Sequence, residues 1–204
     1  MFENKDRRTK ILFVMVEITF FTAIISQIML QLGGGARDEL MDLSDQLIVF
    51  GQAVIFENGL PPYISSAGVF APESIVFGIG LSIVGALIIW LSKEIWKETC
   101  KQFQEKHTTT LHLRTNNIGL IAGMSGGIVL IFLAWTPMNT QLIAHLVMAT
   151  IVFLGSILWT ILVTVSRTIL DADKQWRGYN IIRLRWTLMS VAFISLQLSI
   201  ISFV

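Results

Sequence analysis

The sequence predicts an all-α fold: a polytopic bundle of membrane-spanning helices, five in number, with its N-terminus in the cytosol. Three observations lead there. Of 204 residues, 53% are apolar and 14% charged, whereas a soluble domain carries about 25% charged residues. Mean hydropathy is +0.68, and several apolar runs exceed the roughly 18 residues needed to cross a hydrocarbon core. Lys and Arg also alternate between the connecting segments in the way the positive-inside rule requires. The alternating ten-residue segments of a β-barrel are absent. No long linker or repeat divides the chain, which reads as one transmembrane domain, residues 1–204.

The first span is expected over 11–32. It follows a basic start, but it is too long for a signal-peptide core and no clear small-x-small site closes it, so it is read as retained. A long connection, residues 33–71, comes next. Its middle, 36–52, can form a short amphipathic helix with Leu40, Leu43, Leu47 and Phe50 near one face. Towards its end, Pro61-Pro62 favours an extended approach and Gly68 permits a turn with positive φ. Pro72 suits the first turn of a helix, and Glu73 would sit at that helix's positive end. The second span is expected over 72–90. It continues as a cytosolic helix in which Leu91, Ile95, Thr99 and Phe103 recur every four residues. The third span, 118–135, and the fourth, 141–165, are joined by a tight turn at 136–140 and form an antiparallel hairpin. The fifth is expected over 186–204.

Orientation follows from charge. Net charge is only +1, but 14 of the 15 Lys and Arg residues fall in segments on one side of the predicted spans. These are Lys5, Arg7, Arg8 and Lys10; then Lys93, Lys97, Lys101, Lys106 and Arg114; then Arg167, Lys174, Arg177, Arg183 and Arg185. Only Arg37 lies on the other side, beside Asp38, Glu39, Asp42, Asp45, Glu57 and Glu73. The N-terminus and the basic loops are therefore assigned to the cytosol, and the 33–71 connection to the lumen or exterior.

Few side chains point to chemistry. Glu17 lies about two turns inside the first span, where a carboxyl is costly unless neutral, paired or near water. It is either part of a polar site inside the bundle or, the favoured reading, a neutral hydrogen-bonded or snorkelling group. His145 near the outer end of the fourth span fits a structural hydrogen bond or an interfacial position better than a ligand role. With Gln27, these are the only groups that could face a lipid cavity. His107 and His112, with the single Cys100, do not make a zinc spacing, so no metal site is expected. One cysteine excludes an intramolecular disulfide. Cys100, close to the membrane, is a candidate for palmitoylation, against the plainer reading of a reduced thiol.

Gly119, Gly123 and Gly127 on the third span, and Gly78, Ser82 and Ala86 on the second, are small-residue rows that let helices approach within one chain. Trp90, Trp135, Trp176 and Trp186 lie near the expected interfaces, as an aromatic belt would. The basic loops could touch anionic headgroups, though topology signalling accounts for them. There is no nucleophile triad in one compartment, no P-loop and no dinucleotide fingerprint. The chain is read as non-enzymatic, without cofactor and without nucleic-acid partner. Its partners are the lipid bilayer and, as candidates, other membrane proteins.

One string carries more. Pro62-Tyr63-Ile64-Ser65-Ser66-Ala67-Gly68, followed by Pro72-Glu73-Ser74, resembles a signature of the DRAM family (damage-regulated autophagy modulators) and its wider superfamily of six-span membrane proteins. Asn116-Asn117-Ile118-Gly119-Leu120 is similar as well. So is the run from Ala144-His145 through Ala149 and Phe153 to Gly155-Ser156-Ile157-Leu158-Trp159. The sequence departs from the pattern at Ser66-Ala67, where Asp-Thr is common, and at Ala71, where proline is frequent. Its first outer loop is longer, and it supplies five spans instead of six, as a fragment, an alternative product or a divergent member would. The resemblance implies a non-catalytic protein of lysosomal or endosomal membranes that promotes autophagy. Superfamily relatives imply the alternative, a lipid-handling protein that assists GPI-anchor lipid remodelling or organises plasma-membrane phospholipids.

Overall fold

In a computed structural model, residues 2–32, 64–105, 109–138 and 140–201 are described. Their order is α1 (Phe2–Leu32), a 3₁₀ turn (Ile64–Gly68), α2 (Glu73–Glu105), α3 (Thr110–Ala134), α4 (Leu142–Ser166), α5 (Thr168–Asp171), strands β1 (Gln175–Trp176) and β2 (Tyr179–Asn180), and α6 (Ile181–Ile201). Five of these helices, α1, α2, α3, α4 and α6, are long and apolar enough to span a membrane. The expected amphipathic helix at 36–52 and residues 202–204 lie outside the described residues.

The helix ends differ from expectation in instructive ways. α1 takes in the basic N-terminal segment, because Lys and Arg are good helix formers and prolong a helix beyond its apolar part. α2 runs unbroken past Trp90 to Glu105. Along its last turns Leu91, Thr99 and Phe103 are buried while Lys93, Lys97 and Lys101 are exposed, so the extension is amphipathic. α3 starts at Thr110, which puts Asn116 and Asn117 inside the helix and not at its opening. α6 starts at Ile181 because Asn180 caps it: Asn180 Oδ1 accepts from the backbone N–H groups of Ile182 (3.0 Å) and Arg183 (3.2 Å). Between α3 and α4 the chain turns within a few residues, with the Gln141 N–H bonded to the Pro137 carbonyl at 3.0 Å.

The chain divides into two compact units, one of Met1–Leu87 with Gly127–Ile151, the other of Ile88–Gly126 with Val152–Val204. In the first, the 3₁₀ turn lies against α1. Its parts of α2 and α3 approach so closely that a Cβ on Gly85 would stand 2.6 Å from the Gly127 carbonyl oxygen. Small residues permit that approach where a lipid solvent gives no hydrophobic drive to association. Trp135 Nε1 donates to Ser82 Oγ at 2.9 Å.

In the second unit the same device recurs at Gly123, where a Cβ would collide with Ser92 and stand 2.6 Å from Trp159 Nε1. This unit also holds a feature absent from the sequence-based expectation, a two-stranded antiparallel hairpin between α5 and α6. Gln175 pairs with Asn180 and Trp176 with Tyr179. Its two turn residues, Arg177 and Gly178, have φ of 51° and 83°, the positive values a type I′ turn requires. Glycine takes such a φ freely; for Arg177 it costs about 1–2 kcal/mol.

Candidate functional site

The signature turn is built as a packed approach to α2. Ala67 is wholly buried, and Ser65 Oγ donates to Met138 Sδ at 3.5 Å. The Ser74 N–H bonds to the Phe70 carbonyl at 2.8 Å and the Ile75 N–H to the Pro72 carbonyl at 3.1 Å, closing the turn into the helix. Gly68 does not have positive φ. Its lack of a side chain matters for another reason: a Cβ there would stand 3.2 Å from the Phe77 ring, so glycine lets the turn lie against buried Phe77. Pro72 precedes α2, joined to Ala71 by a cis peptide bond, and offers its carbonyl to the first turn. Glu73 opens α2 at the positive end of the helix dipole and is fully buried. Ser74 is half-buried. Pro62 and Tyr63 lie outside the described residues.

The intramembrane candidates do not form one site. Glu17 is on an exposed face of α1, near exposed Phe13, Phe20 and Phe21. Gln27 is half-buried on the same helix. His145 is buried, with Nδ1 2.7 Å from the Thr136 carbonyl oxygen. A carbonyl only accepts, so Nδ1 carries a proton and the ring ties the start of α4 to the turn before it.

Asn116 and Asn117 pin α3 to the extension of α2. Asn116 Nδ2 donates to the Trp96 carbonyl and to Cys100 Sγ, both at 3.3 Å, while Trp96 Nε1 donates to Asn117 Oδ1 at 2.8 Å. The pair thus satisfies a backbone carbonyl, an indole and a thiol in one place. Cys100 is half-buried, its sulfur engaged by Asn116. His112 bridges Thr109 Oγ1 (2.6 Å) and Thr168 Oγ1 (3.2 Å), with its ring edge-on to Phe103. His107 lies outside the described residues. Among the described residues no group of three or more His, Cys, Asp and Glu side chains is placed to hold a metal.

The densest polar arrangement was not singled out by sequence reasoning. Asp171, 1% exposed, sits among three cations. Arg167 grips it in a fork, Nε to Oδ2 at 3.0 Å and Nη2 to Oδ1 at 3.2 Å. Lys174 Nζ is 2.6 Å from Oδ1 and Arg185 Nη1 is 2.9 Å from Oδ2. Arg167 also reaches α2, donating to Thr99 Oγ1 (2.8 Å) and Gln102 Oε1 (3.1 Å). Gln102 in turn donates to Glu98 at 2.7 Å. Burial pushes the Asp171 carboxyl upward. Hydrogen bonds from Arg167 and Lys174, together with the charges of Arg167 and Arg185, outweigh that and hold it at about 2. The one sequence signal was the four-residue spacing of Arg167 and Asp171, which suits an ion pair on a helix. Thr99 and Gln102 carried no such signal, being about 65 residues away along the chain. Chemically the network is a clamp, with most of the Arg167 donors engaged.

A family model, the Frag1/DRAM/Sfk1/Cwh43P N-terminal domain, matches residues 44–204. The chain belongs to this family. Comparison with curated proteins and with solved structures gave no match. The Frag1/DRAM/Sfk1/Cwh43P region takes in the signature turn, the Asn116–Asn117 pair, the Arg167–Asp171 clamp and the hairpin. It makes the protein an integral membrane protein of this family, in agreement with the five membrane-length helices.

Proposed function

We propose that the protein is a non-catalytic, multispanning regulator of lysosomal or endosomal membranes that promotes autophagy, in the manner of the DRAM branch of its family. The observation that carries this reading is the construction of the signature turn. Within a Frag1/DRAM/Sfk1/Cwh43P domain, its described residues are spent on packing and on starting α2. The polar side chains elsewhere are spent on joining helices. Such a molecule acts through where it resides and what it holds in the membrane, and its partners are the bilayer and neighbouring membrane proteins. The test is the location of the full-length chain, tagged at the N-terminus and expressed at native level, followed by autophagic flux after its deletion. Lysosomal or late-endosomal residence with reduced flux supports the reading; residence elsewhere with unchanged flux removes it.

A second reading, lipid handling as an aid to GPI-anchor remodelling or phospholipid organisation, draws on the exposed aromatic and basic side chains at the α5–α6 connection. Golgi, endoplasmic-reticulum or plasma-membrane residence, with altered anchor lipids on deletion, would favour it.

A further inference from the structure

The hairpin of β1 and β2 is exposed yet firmly held. Every residue from Ala172 to Tyr179 is exposed. The Ile181 N–H bonds to the Lys174 carbonyl at 3.1 Å and Asn180 Nδ2 to the Ala172 carbonyl at 3.1 Å, fixing both ends. Trp176 and Tyr179 are directly opposed across the strands, so both project from one face, and they are 53% and 68% exposed. Arg177 lies over the Trp176 ring, 4.9 Å from its centroid. From Ala172 to Arg185 the chain has four basic residues and one acid, exposed Asp173. Asp171, the nearest buried acid, is already engaged by Arg167, Lys174 and Arg185. Arg177 and exposed Arg183 are left to face outward.

The hairpin joins α6 without a linker, and α6 is a membrane-length helix. The membrane-length segment of α6 begins at Ile181, directly after Asn180. The headgroup layer on each side of a bilayer is roughly 5–8 Å deep. The aromatic pair and the outward cations therefore fall at headgroup level on the side where the basic loops lie. Aromatic rings with polar edges favour that layer, and basic side chains there attract anionic lipid.

We infer that the hairpin is a binding surface for anionic phospholipid headgroups, with Trp176 and Tyr179 seated in the interface and Arg177 and Arg183 meeting the phosphates. The inference is independent of the autophagy reading. A soluble acidic protein segment would fit the charge, but the surface is tethered at the depth where headgroups are always present.

The test uses the full-length chain in neutral detergent, with its thermal unfolding followed as phosphatidylserine or phosphatidylcholine is added. Phosphatidylserine should stabilise it at lower concentration. Arg177→Asn is the informative variant, because Asn-Gly is a preferred type I′ turn and the fold should be undisturbed. It should weaken the apparent phosphatidylserine affinity about fivefold, and adding Arg183→Gln about fivefold again. Equal response to both lipids would overturn the inference, as would a folded Arg177→Asn protein with undiminished affinity. So would stabilisation by soluble glycerophosphoserine alone at the same concentration, or Arg177-dependent binding of polyglutamate without headgroup selectivity.

Discussion

Asp171 is one carboxylate among three cations, and its removal leaves more charge unbalanced than it takes away. Asp171→Ala would strand Arg167, 8% exposed, with its fork empty, a change that costs about 3–5 kcal/mol when a buried pair is broken from one side. The expected outcome is a marked loss of folded protein in detergent, read by fluorescence-detected gel filtration. Arg167→Met with Asp171→Leu should lose less than Asp171→Ala alone, since the most buried of the three cations is no longer stranded, although Lys174 and Arg185 still lose their partner. The pH dependence has a definite sign. With a folded value of about 2 and an unfolded one of about 3.9, the Asp171 contribution is complete above about pH 4. It is lost as pH falls through about 2. Thermal midpoints between pH 5 and 7 should therefore show no Asp171-dependent slope; a slope that disappears in Asp171→Asn would contradict the assignment. Gly68 illustrates a different point. Its small size, not its backbone freedom, is what the turn uses, because Phe77 stands where a side chain would go. Gly68→Val should destabilise by about 1–3 kcal/mol through overpacking, lowering abundance and altering trafficking; unchanged abundance and location would remove this account. Neither role could be read from the chain alone. Glycine in a Pro-rich stretch signals a turn, and only the fold brings Phe77 beside it.

The spanning helices were legible because hydropathy alone defines them, and the turn between α3 and α4 followed from its shortness. Their ends were less legible. The apolar criterion stops where charge begins, whereas α1, α2 and α3 carry their hydrogen bonding on through basic and polar segments. The connection from α5 to α6 was the largest omission. Four strand residues are too few to alternate visibly, and Arg177-Gly178 is a weaker turn signal than Asn-Gly. Asn180 before Ile181-Ile182 was a usable sign, since Asn is among the strongest N-caps. Asn180→Ala removes the acceptor for two backbone N–H groups at the start of α6 and the donor to the Ala172 carbonyl. About 1 kcal/mol of destabilisation is expected, with faster hydrogen exchange confined to the first turn of α6 and the hairpin. Exchange that rises evenly through α6, or nowhere, would show that the cap does not fix this junction.

Family membership settles what sort of molecule this is, yet a shared fold carries many activities, so the functional argument depends on which groups face which compartment. That in turn rests on orientation. The charge asymmetry is steep, with 14 basic residues on one side and Arg37 alone on the other, and short basic loops are strongly retained in the cytosol. The asymmetry places the signature turn on the outer or lumenal side and the Asp171 clamp and hairpin on the cytosolic side. Two single substitutions test this without adding a tag. Asp42→Asn completes an N-glycosylation acceptor with Leu43 and Ser44, in the 33–71 connection. Lys106→Asn sets up an acceptor with His107 and Thr108, between α2 and α3. Expressed in cells that glycosylate, the first protein should gain a glycosidase-sensitive increase in mass and the second should not. The opposite pattern would invert the molecule. It would put the hairpin in the lumen, away from the anionic leaflet, and withdraw both the headgroup surface and the lumenal role of the signature turn together.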